Sequence, residues 1–170
     1  AQRVGKDGQL KWNNGEPVYI GYGWLYHGWT GANNVVPDGN GGVFIAWRGD
    51  GFRAQHVDSD GRLYWQTGGI IAMPNMDKVG DLIPDGNGGV IVLGSRSIFP
   101  GSSEYQIIAQ RIDSLGNLLW GNSGIVVKNI EKACWGPRLT FIESVGNNEF
   151  VVVWDGIEAG TALCDESDIY

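Results

Sequence analysis

Apolar residues in this chain occur in short runs that are separated by clusters of Gly, Asn and Asp. Three of these runs are Val43–Trp47, Val90–Leu93 and Phe150–Trp154. They are apolar at consecutive positions, so both faces of each strand would be covered by neighbouring layers. A turn and a shorter apolar run precede each of them, in the phrases VVPDGNGGVFIAW from Val35, LIPDGNGGVIVLG from Leu82 and FIESVGNNEFVVVW from Phe141. Run, turn and run together predict a β-hairpin.

A second phrase of twelve residues occurs three times. It reads AQRVGKDGQLKW from Ala1, AQHVDSDGRLYW from Ala54 and AQRIDSLGNLLW from Ala109. The middle copy predicts a strand through Ala54–Val57, a turn at Asp58–Gly61 and a return strand at Leu63–Trp65. The conserved spacing puts one Trp at the same place in every copy, where its large indole suits the wedge between adjacent sheets.

A period of about 50 residues is typical of stacked repeats. Each period holds four short strands and no helical pattern, so we expect an all-β fold made of β-propeller blades, each of four antiparallel strands. The repeats are 1–53, 54–108 and 109–170. Three are too few to close a propeller, which indicates a segment of a larger propeller or a subunit that closes with another copy. The alternatives are a β-sandwich and a β-solenoid.

Composition narrows the function classes. The chain has 28 Gly and 8 Trp, only 18% charged residues and a formal net charge of −7, with a pI near 4.7. An acidic chain without a basic patch is not expected to bind nucleic acid. No apolar run is long enough to predict a membrane span, and no signal peptide is visible.

Cysteine and histidine are scarce. Cys134 and Cys164 both fall in the third repeat, where they could form a disulfide or remain buried thiols. The only histidines are His27 and His56. This set does not predict a zinc cluster, and we expect neither a metal nor a cofactor.

The repeated phrase AQR(I/V)D..G..LW, followed by a PDGNGG hairpin, resembles the repeats of large secreted bacterial β-propeller proteins. These are of the Bacteroidetes type and are often exported by the type IX system. Asp168-Ile169-Tyr170 matches the tripeptide that commonly precedes the phrase in them. The resemblance covers nearly the whole chain, and it implies a propeller fold and an extracellular or cell-surface location. It implies little about activity, and Glu143–Asn148 departs from the expected turn.

Asp58-Ser59-Asp60-Gly61 with Trp65 also resembles, loosely, the Asp-box of sialidase-type propellers. That box is a structural turn remote from the active site, so the likeness bears on the fold and not on catalysis.

The recurring carboxylates have two interpretations. Asp38 and Asp85 stand in Gly/Asn-rich loops that could supply calcium ligands, and Asp58, Asp60 and Asp113 could act as general acids or bases. Asp is also a common turn residue because its side chain binds nearby backbone amides. We favour turns, since each loop offers few acidic ligands and the residues recur with the repeat.

Residues outside the repeat pattern are better candidates for binding. The segment Tyr19–Thr30 is longer than its counterpart in the next repeat and rich in aromatic rings that could stack on sugars or anchor a protein. A second group, Trp29, Met76 and Trp135, stands near the start of each innermost strand. The candidate ligand-binding residues are Tyr22, Trp24, Tyr26, His27, Trp29 and Trp135. The competing interpretation is that these side chains pack inward.

The sequence favours a non-catalytic extracellular propeller that binds a glycan or a protein, or that acts as a scaffold. No catalytic set is recognisable, so an enzyme is the second hypothesis, as a segment of a polysaccharide-active propeller. A purely structural subunit of an extracellular ring or fibre is the third, in which further copies or blades of the same protein would be the partners.

Overall fold

A computed structural model describes residues 1–12, 35–131, 137 and 140–156, together with the backbone of 168–169. This part of the chain consists of β-strands and turns without a helix, so it contains no helical segment that could cross a membrane. The strands are β1 (Val35–Pro37), β2 (Val43–Gly49), β3 (Gly51–Val57), β4 (Ile70–Met73), β5 (Lys78–Pro84), β6 (Val90–Ser97), β7 (Tyr105–Ile112), β8 (Ile125–Ile130), β9 (Thr140–Gly146), β10 (Glu149–Gly156) and β11 (Asp168–Ile169).

The strands form three antiparallel sheets with neighbours in chain order. Sheet 1 is β1-β2-β3-β4 and sheet 2 is β5-β6-β7-β8. In sheet 3, β9 and β10 form a hairpin, and the two-residue β11 pairs with the far end of β10. The expected all-β class and the four-stranded antiparallel sheet are confirmed.

Within the described part of the chain, two apolar clusters lie between the sheets. The first joins sheets 1 and 2 and includes Phe44, Phe52, Met73, Leu82 and Val92. The second joins sheets 2 and 3 and includes Ile91, Leu93, Ile107, Ile130 and Ile142. Alternate side chains of Val90–Leu93 in β6 therefore enter different clusters, which explains why these four consecutive positions are all apolar. Each such side chain contributes about 1.5 to 3 kcal/mol when it is fully buried.

The predicted return at Leu63–Trp65 is confirmed as an antiparallel bridge, but it does not extend into a strand. Only Leu63 forms a bridge, to Val57, and the fourth strand of sheet 1 lies further on, at Ile70–Met73. The same arrangement recurs in sheet 2, where Leu118 bridges to Ile112 before β8 begins. In sheet 1 the reason is that the indole of Trp65, at the end of the phrase, bonds to the carbonyl of Ser114 in the next repeat and not to its own sheet.

The prediction of double-sided burial holds for β6 but not for β10. Ile91 in β6 is 0% exposed, whereas Val151 in β10 is 47% exposed. Sheet 2 has a neighbouring sheet on each face, and in the described part of the chain sheet 3 has one on a single face.

Candidate functional site: the joints between repeats

Four aspartates hold their turns in the same way. The Oδ1 atoms of Asp38, Asp58, Asp85 and Asp113 each accept hydrogen bonds from the backbone amides two and four residues later, at 2.7 to 2.9 Å. A hydrogen bond from the side-chain amide of Asn117, with the backbone amides, lowers the pKa of Asp113. These carboxylates act as turn caps. The described residues also contain no group of three or more His, Cys, Asp or Glu that could hold a metal.

A glutamine at the second position of each phrase bridges the two arms of its hairpin. Gln55 and Gln110 are fully buried. The Oε1 atom of Gln55 accepts hydrogen bonds from the amides of His56 and Trp65, and its Nε2 donates to the carbonyl of Gln66. Gln110 makes the equivalent bonds to Arg111, Trp120 and Gly121. Gln2 likewise accepts from the amides of Arg3 and Trp12, but its Nε2 donates to the carbonyl of Trp12. A buried amide with every polar atom bonded orders a strand pair strongly, because an unpaired one would cost about 1 to 3 kcal/mol.

Sequence reasoning missed this glutamine. The available signal was a polar residue that recurs at one position of an otherwise apolar strand.

The Trp residues that end the first two phrases each join their repeat to the next. The indole Nε1 of Trp12 donates to the carbonyl of Ser59 at 3.0 Å, and that of Trp65 donates to Ser114 at 3.1 Å. The ring of Trp12 lies over Gly61, where an added Cβ would come within 2.6 Å of the indole Cγ. The glycine two residues after Ser114 lies under Trp65 in the same manner. We call each set of Trp, carbonyl and glycine a tryptophan joint.

A carboxylate hydrogen-bonded to a nitrogen of a β3 or β7 side chain accompanies the β1–β2 and β5–β6 hairpins. Asp85 Oδ2 accepts a hydrogen bond from Arg111 Nε at 2.9 Å, and at the equivalent place Asp38 Oδ2 bonds to His56 Nε2 at 2.8 Å. Burial raises the pKa of Asp38, but the hydrogen bonds from His56 and from two backbone amides outweigh it and hold the pKa below its ordinary value.

His56 is not arranged as a catalytic base. In a triad, one ring nitrogen faces the carboxylate and the other faces an accessible nucleophile. Here Nε2 faces Asp38, while Nδ1 is buried and has no hydrogen-bond partner. The rings of Phe44 and Trp65 lie 4.4 and 6.0 Å away. The expectation that His56 is a strand residue is confirmed, because it lies in β3.

Asp81 is the one described carboxylate whose pKa is raised. Burial is the main cause, and the charge of Glu143 adds to it, while hydrogen bonds from the amides of Leu82 and Ile142 partly oppose it. The side chain lies where β5 meets β9, with the Leu82 amide at 2.9 Å and the Ile142 amide at 3.4 Å. Nothing in the repeat pattern distinguishes this residue, so sequence reasoning did not find it.

The predicted binding residues Tyr22, Trp24, Tyr26, His27, Trp29 and Trp135 all lie outside the described residues, as do Cys134 and Cys164. Met76, which the sequence aligns with Trp29 and Trp135, is described. It is buried in the cluster between sheets 1 and 2, so it packs between sheets.

Comparisons with protein-family models, with curated proteins and with solved structures find no match for this chain.

Proposed function

We propose that the chain is part of a non-catalytic extracellular β-propeller that binds a glycan or a protein, or that acts as a scaffold in a larger assembly. The observation that carries this proposal is the tryptophan joint. It links one repeat to the next twice in the chain, by the same indole–carbonyl hydrogen bond and the same glycine contact. Identical joints between successive four-stranded sheets are what a ring of blades requires.

The polar side chains of the repeats support a structural role. The recurring aspartates cap turns and the recurring glutamines tie strands, so repetition itself explains their presence. Residues that serve a ligand are therefore sought outside the repeat pattern, in the aromatic segment Tyr19–Thr30.

The proposed extracellular location of the protein rests on the resemblance to secreted propeller repeats and on the acidic composition. A net charge of −7 suits a soluble surface protein that does not bind nucleic acid or anionic lipid.

Retention on immobilised polysaccharides and on extracellular-protein fractions tests the binding function. Trp24→Ala and Trp29→Ala are expected to reduce retention at least about tenfold, because aromatic anchors dominate such interfaces. Phe99→Ala is the control, since it removes an exposed aromatic ring that stands outside that segment. Circular dichroism melting verifies that each variant is folded. Equal retention of all three variants would contradict binding through the aromatic segment.

A second candidate is a polysaccharide-active enzyme, and one observation favours it. A buried carboxyl with a raised pKa is a usual setting of a general acid, and burial raises the pKa of Asp81. Under this alternative, reducing-sugar release would disappear in Asp81→Asn. Unchanged release would exclude Asp81 as the acid.

A further inference from the structure

The hairpin of β6 and β7 is longer than the hairpin of β2 and β3. Counted from the first residue of β2 or β6 to the start of the twelve-residue phrase, repeat two has eight more residues than repeat one. In repeat one the hairpin closes at the pair Gly49 and Gly51. The equivalent pair in repeat two is Arg96 with Gln106, and β6 and β7 continue to pair beyond it. The repeat pattern therefore does not explain these two side chains.

Three side chains form a hydrogen-bonded row across β6, β7 and β8. Arg96 donates from Nε and Nη2 to Gln106 Oε1, at 3.1 and 3.0 Å. Gln106 Nε2 in turn donates to Asn129 Oδ1 at 2.9 Å. The three residues lie opposite one another on adjacent strands, so the row extends over two strand spacings, or about 10 Å. We call these three side chains the polar row.

The polar row lies just beyond the first apolar cluster and is accessible to solvent. A Cβ added at Gly94 would meet the side chain of Met76, which belongs to that cluster. Arg96 is the next residue on the same face of β6, because side chains alternate along a strand. Arg96 and Gln106 are partly exposed, and Asn129 is exposed. A ligand can therefore reach all three side chains.

The groups that the polar row leaves for a ligand are N–H donors. Both amide oxygens of the row already accept hydrogen bonds from within it. Among the described residues, no group accepts a hydrogen bond from Arg96 Nη1 or from Asn129 Nδ2. The guanidinium edge formed by Nη1 and Nη2 matches a carboxylate, which it binds through two parallel hydrogen bonds.

The positive charge of the polar row is not compensated by a described carboxylate. Arg53 and Arg111 each pair with an aspartate, whereas Arg96 forms no ion pair in the described part of the chain. Asp77 binds the amide and the hydroxyl of Ser97, which lies on the opposite face of β6. A chain with a net charge of −7 repels polyanions as a whole. A polyanion that binds it therefore needs a local cationic site of this kind.

We propose that the polar row binds an acidic polysaccharide through the carboxylate of a uronic acid unit. The guanidinium of Arg96 holds the carboxylate, and the side-chain amides of Gln106 and Asn129 donate to hydroxyl oxygens of the adjoining sugars. The row crosses three strands on the face of a sheet, whereas a bound peptide strand pairs its backbone along a sheet edge. This arrangement favours a glycan over a peptide. The inference rests on the glycan binding proposed above and adds a described site to it.

Isothermal titration calorimetry of the full chain with sodium polygalacturonate tests the proposal. The wild type is expected to bind this polymer. Its affinity for the methyl ester of the same polymer is expected to be at least about tenfold lower, because the ester has no charge to pair with the guanidinium. Added salt should weaken binding to the acid form and leave binding to the ester unchanged.

Two variants of the polar row separate its charge from its geometry. Gln106→Glu is isosteric and places a carboxylate against Arg96, so it should lower the affinity at least about tenfold without lowering the melting temperature. Arg96→Lys keeps the positive charge and removes the two-pronged edge of the guanidinium, so it should also weaken binding.

Lys128→Ala is the matched control for charge. Lys128 is exposed and precedes Asn129 in β8. It pairs with Ile107, whose side chain belongs to the second cluster, so it lies on the opposite face from the polar row. This variant loses one positive charge and is expected to keep the affinity of the wild type. Circular dichroism melting verifies that each variant is folded.

Failure of this site and failure of the proposed function give different results. A wild type that does not bind polygalacturonate overturns the proposal, as does unchanged affinity in Gln106→Glu or an equal loss in Lys128→Ala. Equal affinity for polyglutamate overturns the assignment to a polysaccharide. Retention of another glycan or of a protein without polygalacturonate binding contradicts this site alone. Binding that is lost in Gln106→Glu but kept in Trp24→Ala and Trp29→Ala supports this site and contradicts the aromatic segment.

Discussion

Gly61 lies directly beneath the ring of Trp12, so its replacement by alanine measures how tightly one repeat fits against the next. The methyl group would be placed 2.6 Å from Cγ and 2.9 Å from Cδ1 and Cδ2 of the indole. These distances are far below van der Waals contact, so the ring must move. The ring is held by its hydrogen bond to Ser59 and by burial, which leaves it little freedom to do so.

Two costs add in this variant. The first is backbone strain, because φ at Gly61 is +86° and a residue with a Cβ loses about 1 to 2 kcal/mol there. The second is overpacking, which costs about 1 to 3 kcal/mol. Gly39→Ala shares the first cost and not the second, since φ there is +82° and the added Cβ meets nothing within 4 Å. The difference in unfolding free energy between the two variants therefore measures the cost of overpacking at the joint.

Chemical denaturation followed by circular dichroism gives both free energies of unfolding. We expect Gly61→Ala to be less stable than Gly39→Ala by about 1 to 3 kcal/mol. In a chain of this length that difference corresponds to a melting temperature lower by about 2 to 4 °C for each kcal/mol. Trp12→Ala removes the clash, so adding Gly61→Ala to it should cost no more than Gly39→Ala does.

Equal destabilisation by Gly61→Ala and Gly39→Ala would refute the reasoning. So would a double variant in which the effects of Trp12→Ala and Gly61→Ala simply add. Additivity is expected of residues that do not touch, and it would mean that the indole does not lie over this glycine in solution.

Two further predictions concern pH. The pKa of Asp38 is lowered in the folded state, so its stabilisation is present above its ordinary pKa and is lost as the pH falls through the folded value. Asp38→Asn should therefore cost about 1.5 to 3 kcal/mol at neutral pH and much less in acid. The pKa of Asp81 is raised, so ionisation reduces stability as the pH rises above its ordinary pKa. Relative to the wild type, Asp81→Asn should thus be more stable at neutral pH than at pH 3. Thermal melts of the variants across pH check both predictions, and a pH-independent difference would contradict them.

The turns show how closely sequence can predict local structure. Asp followed by Gly and Asn predicts a capped turn, and Asp38 and Asp85 form such turns with the same two amide bonds. The information is local, since cap and amides are at most four residues apart. Such a pattern therefore predicts the turn correctly even when the residues that pack against the turn are unknown.

The return strand shows where local patterns fail. Leu63 and Trp65 alternate with a polar residue as a strand does, yet only Leu63 pairs with the preceding strand. Trp65 instead donates to a carbonyl 49 residues further along the chain. The buried Gln55 also binds the Trp65 amide, which ends the pairing there. Neither contact can be read from alternation, because both depend on residues that only the fold brings together.

By itself the amino-acid sequence determined the all-β class, the number of repeats, the four-stranded unit and the turns, since these follow from the two-residue period and from short-range hydrogen bonds. Only the tertiary structure decided that Trp12 and Trp65 join their repeats to the next, and that Asp81 is a buried carboxyl. It also decided that Val4 and Val151 are exposed where their equivalents are buried. Burial and charge depend on which strands lie opposite a residue. The same residue type at the same place in a repeat therefore has a different environment at each end of the array.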